Sequence, residues 1–117
     1  PYTKIYAKNI YVDEKNLDEI IEKTDYFIEA FDDKNSKVKL FDYFSKKENK
    51  FLFTASGMAG LGDISDIKVK KINNITMVGD FKSDAKKEGL YLAYILIMAS
   101  LEALECLKKI RKDYYGR

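Results

Sequence analysis

Three short stretches of the chain hold the residue types best placed to do chemistry. Residues 29–32, Glu-Ala-Phe-Asp, end a run that is apolar from Tyr26 to Phe31 except at Glu29. Residues 53–62, Phe-Thr-Ala-Ser-Gly-Met-Ala-Gly-Leu-Gly, pass from an apolar segment into three glycines. Residues 78–81, Val-Gly-Asp-Phe, end a third apolar segment on an acidic corner. Each stretch reads as a buried strand running into a turn, and ligands of open α/β sheets bind beyond the carboxyl ends of the strands. A carboxylate there, such as Asp32, holds magnesium or orients a metal-bound phosphate. The other reading is that Asp32 or Asp33 caps the helix that follows. The residue pattern leaves both open.

The glycine stretch is not a Walker loop, because no Gly-Lys-Ser/Thr follows it, and its spacing is not that of the dinucleotide fingerprint. Taken alone, Ser56, Gly57 and the glycines after them signal tight backbone turns. Asp80 either binds a cation or caps a turn, and the turn is the simpler reading. Cys106 has Leu104 and Leu107 as neighbours and the chain has no His to lower a thiol pKa, so it reads as packing. Pro1, if it is a free N-terminus, carries a secondary amine able to act as a general base, as in the tautomerase family.

Composition narrows the classes. The 117 residues make one domain, 1–117, with one core. With 21 basic against 19 acidic residues, a net charge of +2 gives no reason to expect nucleic acid or an anionic membrane. The basic run from Lys108 to Lys112 reads as a solvated helix end, with phosphate contact as the alternative. The absence of His and the single Cys argue against zinc and exclude an intrachain disulfide, which fits a cytoplasmic protein. The N-terminus lacks the apolar region of a signal peptide, and the apolar run 90–99 falls short of the roughly 20 residues of a membrane span.

The elements that position these residues follow from periodicity. Residues 2–12 read as a strand, and Asn16 with Glu19 opens a short helix that ends near Thr24. Residues 26–31 read as a central parallel strand, residues 35–47 as a helix with Val38, Phe41 and Phe44 on one face, and residues 51–55 as a strand. After the loop 56–62, strands over 67–70 and 75–78 form a hairpin through Asn73-Asn74, since Asn tolerates positive φ. Residues 81–89 read as a polar loop. Residues 90–111 read as one helix, its first half apolar all round and so buried or at an interface. Its second half carries Leu101, Leu104, Leu107 and Ile110 in register. The expected fold is α/β, with parallel strands, an antiparallel hairpin that makes the sheet mixed, and a long C-terminal helix.

In order and spacing, Glu29-Ala30-Phe31-Asp32, Ala55-Ser56-Gly57-Met58-Ala59-Gly60 and Gly79-Asp80-Phe81 resemble the second half of the ThiF/MoeB/HesA family, most of all short bacterial ThiF-type proteins. The resemblance implies a Rossmann-like, partial three-layer domain. It implies ATP and magnesium as cofactors, with Asp32 catalytic and metal-binding, and Asp32, Ser56 and Gly57 against the nucleotide. It implies a ThiS-like sulfur carrier as partner, whose C-terminal Gly is adenylylated in thiamine biosynthesis. The family's glycine-rich ATP loop belongs to the N-terminal half, so the expectation is a nucleotidyltransferase part that is inactive without that half. A non-catalytic dimerisation or interaction module, as a homo-oligomer or bound to such a half, is the alternative. The N-terminal-Pro tautomerase is a further one.

Overall fold

The computed structural model describes residues 15–30 and 34–116. Helix α1 (Leu17–Glu22) leads to strand β1 (Tyr26–Ile28), helix α2 (Lys34–Ser45) and strand β2 (Phe51–Ala55). A 3-10 turn (Ile64–Asp66) precedes the hairpin of β3 (Lys68–Ile72) and β4 (Ile75–Gly79). The one-turn helix α3 (Ala85–Glu88) and the long helix α4 (Leu92–Tyr115) complete the chain. The sheet order is β1-β2-β4-β3. β1, β2 and β4 are parallel, and β3 returns antiparallel to β4. The fold is therefore α/β with a mixed four-stranded sheet and a long C-terminal helix, as the periodicity predicts.

Strand alternation divides the side chains between two layers. On one face Leu52 and Ile75 join Ile21 of α1 and Phe44 of α2 in the buried core, with Phe27, Leu40, Phe41 and Met77 around them. Phe27 and Phe44 meet as tilted rings 5.1 Å apart. On the other face Phe53, Ala55 and Val78 are covered by α4. The amide of Asn74, at the hairpin turn, donates to the carbonyls of Phe44, Lys47 and Lys50, which locks the turn to the α2–β2 connection. Asn73 takes the positive φ (52°) expected of this turn.

Several expectations are corrected. β1 is shorter than the expected 26–31 and spans three residues; it stands at an edge of the described sheet, and the strand expected over 2–12 lies outside the described residues. Asn16 precedes α1 without a side-chain capping bond, because its own backbone is already helical (φ −107°, ψ −3°) and the cap geometry is not formed. Val38 is 67 % exposed, so the buried stripe of α2 is Leu40, Phe41 and Phe44. The register of α4 is likewise turned. Tyr94, Met98, Glu102, Glu105 and Cys106 face inward at helical spacing, while Leu104 and Leu107 are 50 % and 63 % exposed. The polar stretch 81–89 also holds the single turn α3. Among the described residues no helix is long and apolar enough to cross a membrane.

Candidate functional site

The parallel strands β1, β2 and β4 all end on one rim, and three features meet there. The first is a polar cluster after β1. The peptide N–H of Glu29 donates to the Phe53 carbonyl, extending the ladder by one residue and turning the Glu29 side chain inward. Its carboxylate is buried, accepts a hydrogen bond from the Thr54 hydroxyl and pairs with Lys37 of α2 (Nζ to Oε1 3.1 Å). The Lys37 ammonium also donates to the Ala55 carbonyl at 3.1 Å, which ties α2 to the end of β2. Glu102 of α4 comes within electrostatic reach of this group. It is 6 % exposed, and its Oε2 has no hydrogen-bond partner among the described residues. Burial, then the negative charge of Glu29, push the Glu102 carboxyl up to about 7, against the opposing pull of Lys37. A buried acid poised near neutral pH at the carboxyl ends of parallel strands is a candidate for proton transfer.

The second feature is the glycine turn after β2. The backbone of Ser56 is fully engaged: its N–H donates to the Val78 carbonyl and its carbonyl accepts from Phe81. The Gly57 carbonyl accepts from the Asp80 N–H. Gly57 has φ of 75°, and a Cβ there would fall on the Asp80 carboxylate. Gly79 has φ of 141°, and a Cβ there would fall on the Ser56 carbonyl. Both glycines are needed because two strand ends cross at backbone distance. The Ser56 hydroxyl, half-buried, has no hydrogen bond among the described residues.

The third feature is the acidic corner after β4. Asp80 Oδ1 accepts from the peptide N–H groups of Lys82 (2.9 Å) and Ser83 (2.8 Å), and Oδ2 accepts from the Tyr94 hydroxyl (2.9 Å). Burial opposes its ionisation, but the Ser83 and Lys82 amides and the Ser83 and Tyr94 hydroxyls outweigh it and hold the carboxyl below its ordinary value. Burial and the Asp80 carboxylate push the Tyr94 phenol up to about 12. Asp80 therefore holds a turn, as the simpler reading has it. Phe81 beside it adopts a left-handed φ of 64°, a conformation that costs free energy in a non-glycine residue.

The structure thus joins Ser56 and Gly57 to the Asp80 corner. Asp32, the expected catalytic and metal-binding residue, lies outside the described residues, as do Pro1 and the strand expected over 2–12. Among the described residues no group of three or more His, Cys, Asp or Glu is arranged to hold a metal ion. Cys106 is buried, and burial pushes its thiol up, consistent with packing. Glu29, Lys37, Thr54 and Glu102 were not singled out as site residues from the sequence. Glu29 had a signal, as the one charge in an apolar run. Glu102 was hidden because the leucines around it suggest the opposite face of the helix. Comparison of the chain with protein-family models, with curated proteins and with solved structures finds no match.

Proposed function

We propose that the chain is part of an ATP-dependent adenylyltransferase that activates the C-terminal Gly of a ubiquitin-like, ThiS-like sulfur carrier. The observation that carries this reading is the rim itself. β1, β2 and β4 run parallel, and the Ser56–Gly57 turn is bonded to the Gly79–Phe81 corner at their carboxyl ends. That order of strands and turns is what the resemblance to the ThiF/MoeB/HesA family requires. Chemistry of this class consists of positioning a carboxylate against the α-phosphate and stabilising the charge that develops, with magnesium neutralising the phosphates. The described carboxylates fit a metal poorly. Glu29 is occupied by Lys37 and Thr54, Asp80 by two amides and a phenol, and Glu102 is held partly protonated near neutral pH. Magnesium binding therefore rests on Asp32 in this reading.

No glycine-rich ATP loop of the family's type occurs in the 117 residues. The chain alone is expected to bind ATP weakly or not at all. Co-expression with a half that bears the glycine loop should restore carrier-dependent pyrophosphate release, and Asp32→Asn should abolish it. Tight, magnesium-dependent ATP binding by the chain alone in a calorimetric titration would overturn the half-site reading. Undiminished pyrophosphate release by the Asp32→Asn protein would overturn the assignment of Asp32.

A second reading, an interaction module, has an observation of its own. Leu92, Leu96, Leu104 and Leu107 of α4 are all exposed, on the side of the helix away from the sheet. Exposed apolar area of this extent on one helix marks a surface that a partner covers.

A further inference from the structure

A concavity lies at the opposite end of the parallel strands, where β2 and β4 begin. It is a cleft of about 420 Å³ between the C-terminal half of α4, the start of β2 and the β3–β4 turn. Five cations line it, against one carboxylate, Glu105. The chain as a whole carries only +2, so this is a local concentration of charge. The cations come from two walls. Lys71 projects from β3 and the others from α4. Compensation of a helix C-terminus accounts for cations in its last turn, but not for one on a facing strand. Glu105, itself buried, pairs with Lys108 at 3.1 Å and with Lys71 at 3.8 Å, so one carboxylate holds the two walls in register. Arg111 and Lys112 have no salt bridge among the described residues. The floor is aromatic. Lys109 lies 4.4 Å over the Phe51 ring, which stacks in turn on Tyr26 at 5.7 Å.

We propose that this cleft binds a small anion carrying two or more phosphate groups. Lys71 and Lys108 share Glu105, and Lys109 pairs with Asp113 at 2.8 Å, which leaves a net positive cleft, and the unpaired Arg111 guanidinium offers the planar fork that matches phosphate oxygens. The volume falls in the range of small-molecule sites and exceeds a bare diphosphate, leaving room for an organic group against Phe51 and Phe53. The site is separate from the carboxyl rim of the strands and does not depend on the adenylyltransferase reading.

The probe is inorganic tripolyphosphate, titrated into the whole chain and followed by calorimetry and by amide chemical shifts. Saturable binding is expected, weakening with salt, with shifts at Phe51 and Asn73. The double variant Arg111→Ala/Lys112→Ala should lose about tenfold or more in affinity, because hydrogen bonds to charged groups are lost. Both residues are exposed, so folding is unaffected. Lys86→Ala/Lys87→Ala on α3 removes the same charge elsewhere and should change affinity by less than about twofold. No saturable binding at millimolar tripolyphosphate overturns the proposal, as does an equal loss in both double variants, which would signal diffuse charge. A single-stranded oligonucleotide that binds more tightly than tripolyphosphate overturns it in favour of nucleic acid.

Discussion

Glu102 is a buried carboxyl whose ionisation is opposed by its surroundings. In the unfolded chain its carboxyl titrates near 4.5, and in the folded protein near 7. Between those values the folded state keeps a proton that the unfolded chain has released, so this residue's contribution to stability falls as pH rises through the window. Glu102→Gln should be more stable than the parent at pH 8 by about 1–3 kcal/mol, because the amide avoids the cost of ionising a buried carboxyl, and nearly equal to it at pH 4. Urea denaturation at the two pH values checks this, and a gain independent of pH would show that the carboxyl is not the cause. Gly79 is the second residue of consequence. Gly79→Ala should lose at least about 1–3 kcal/mol from backbone strain alone, read as a lower denaturation midpoint.

At the scale of elements, one layer depends on Phe44 and the other on the Tyr94–Asp80 bond. Phe44 is fully buried between α2 and the sheet, and Phe44→Ala should cost about 3–5 kcal/mol in thermal or chemical denaturation. Tyr94→Phe removes the hydroxyl that α4 donates to the β4 corner and should cost about 1 kcal/mol. Asp80 titrates below its ordinary value of 3.8, so its stabilisation is present above that value and is lost as pH falls through the folded one. That acid-side loss should be shallower in the Tyr94→Phe protein, because one of the bonds that lowers the Asp80 pKa has gone.

At the scale of the whole molecule, the outer side of α4 and the edge strand β3 are uncovered. β3 is exposed at every position, and four of its five residues follow the pattern Lys-Val-Lys-Lys, the charges that discourage edge-to-edge pairing. α4 has no such protection along Leu92, Leu96, Leu104 and Leu107. Sedimentation velocity should show concentration-dependent association of the chain, and Leu96→Glu/Leu104→Glu should return it to a monomer. A parent protein that stays monomeric at high concentration would remove the support for the interaction module.

The strands and the mixed character of the sheet were largely legible from periodicity, but the strand order was not. β2 occupies 51–55 as expected, and the hairpin turns at Asn73-Asn74, where Asn73 takes the positive φ that Asn tolerates. The turn role of Asp80 was legible for the same reason, since a short carboxylate two and three residues before free amides closes on them. The facing of α4 was not. Its leucines and its Met98, Glu102, Glu105, Cys106 stripe have the same helical period, and hydrophobicity favours the wrong one. Only packing decides it, because the elements beneath offer Lys71 of β3, Asp80 after β4 and, from α2, Lys37, partners that the second stripe can meet and the leucines cannot. The same holds for the glycines. Local sequence calls for a tight turn at Gly57 and a strand end at Gly79, but the close approach of each glycine to the other's loop exists only once β2 and β4 lie side by side.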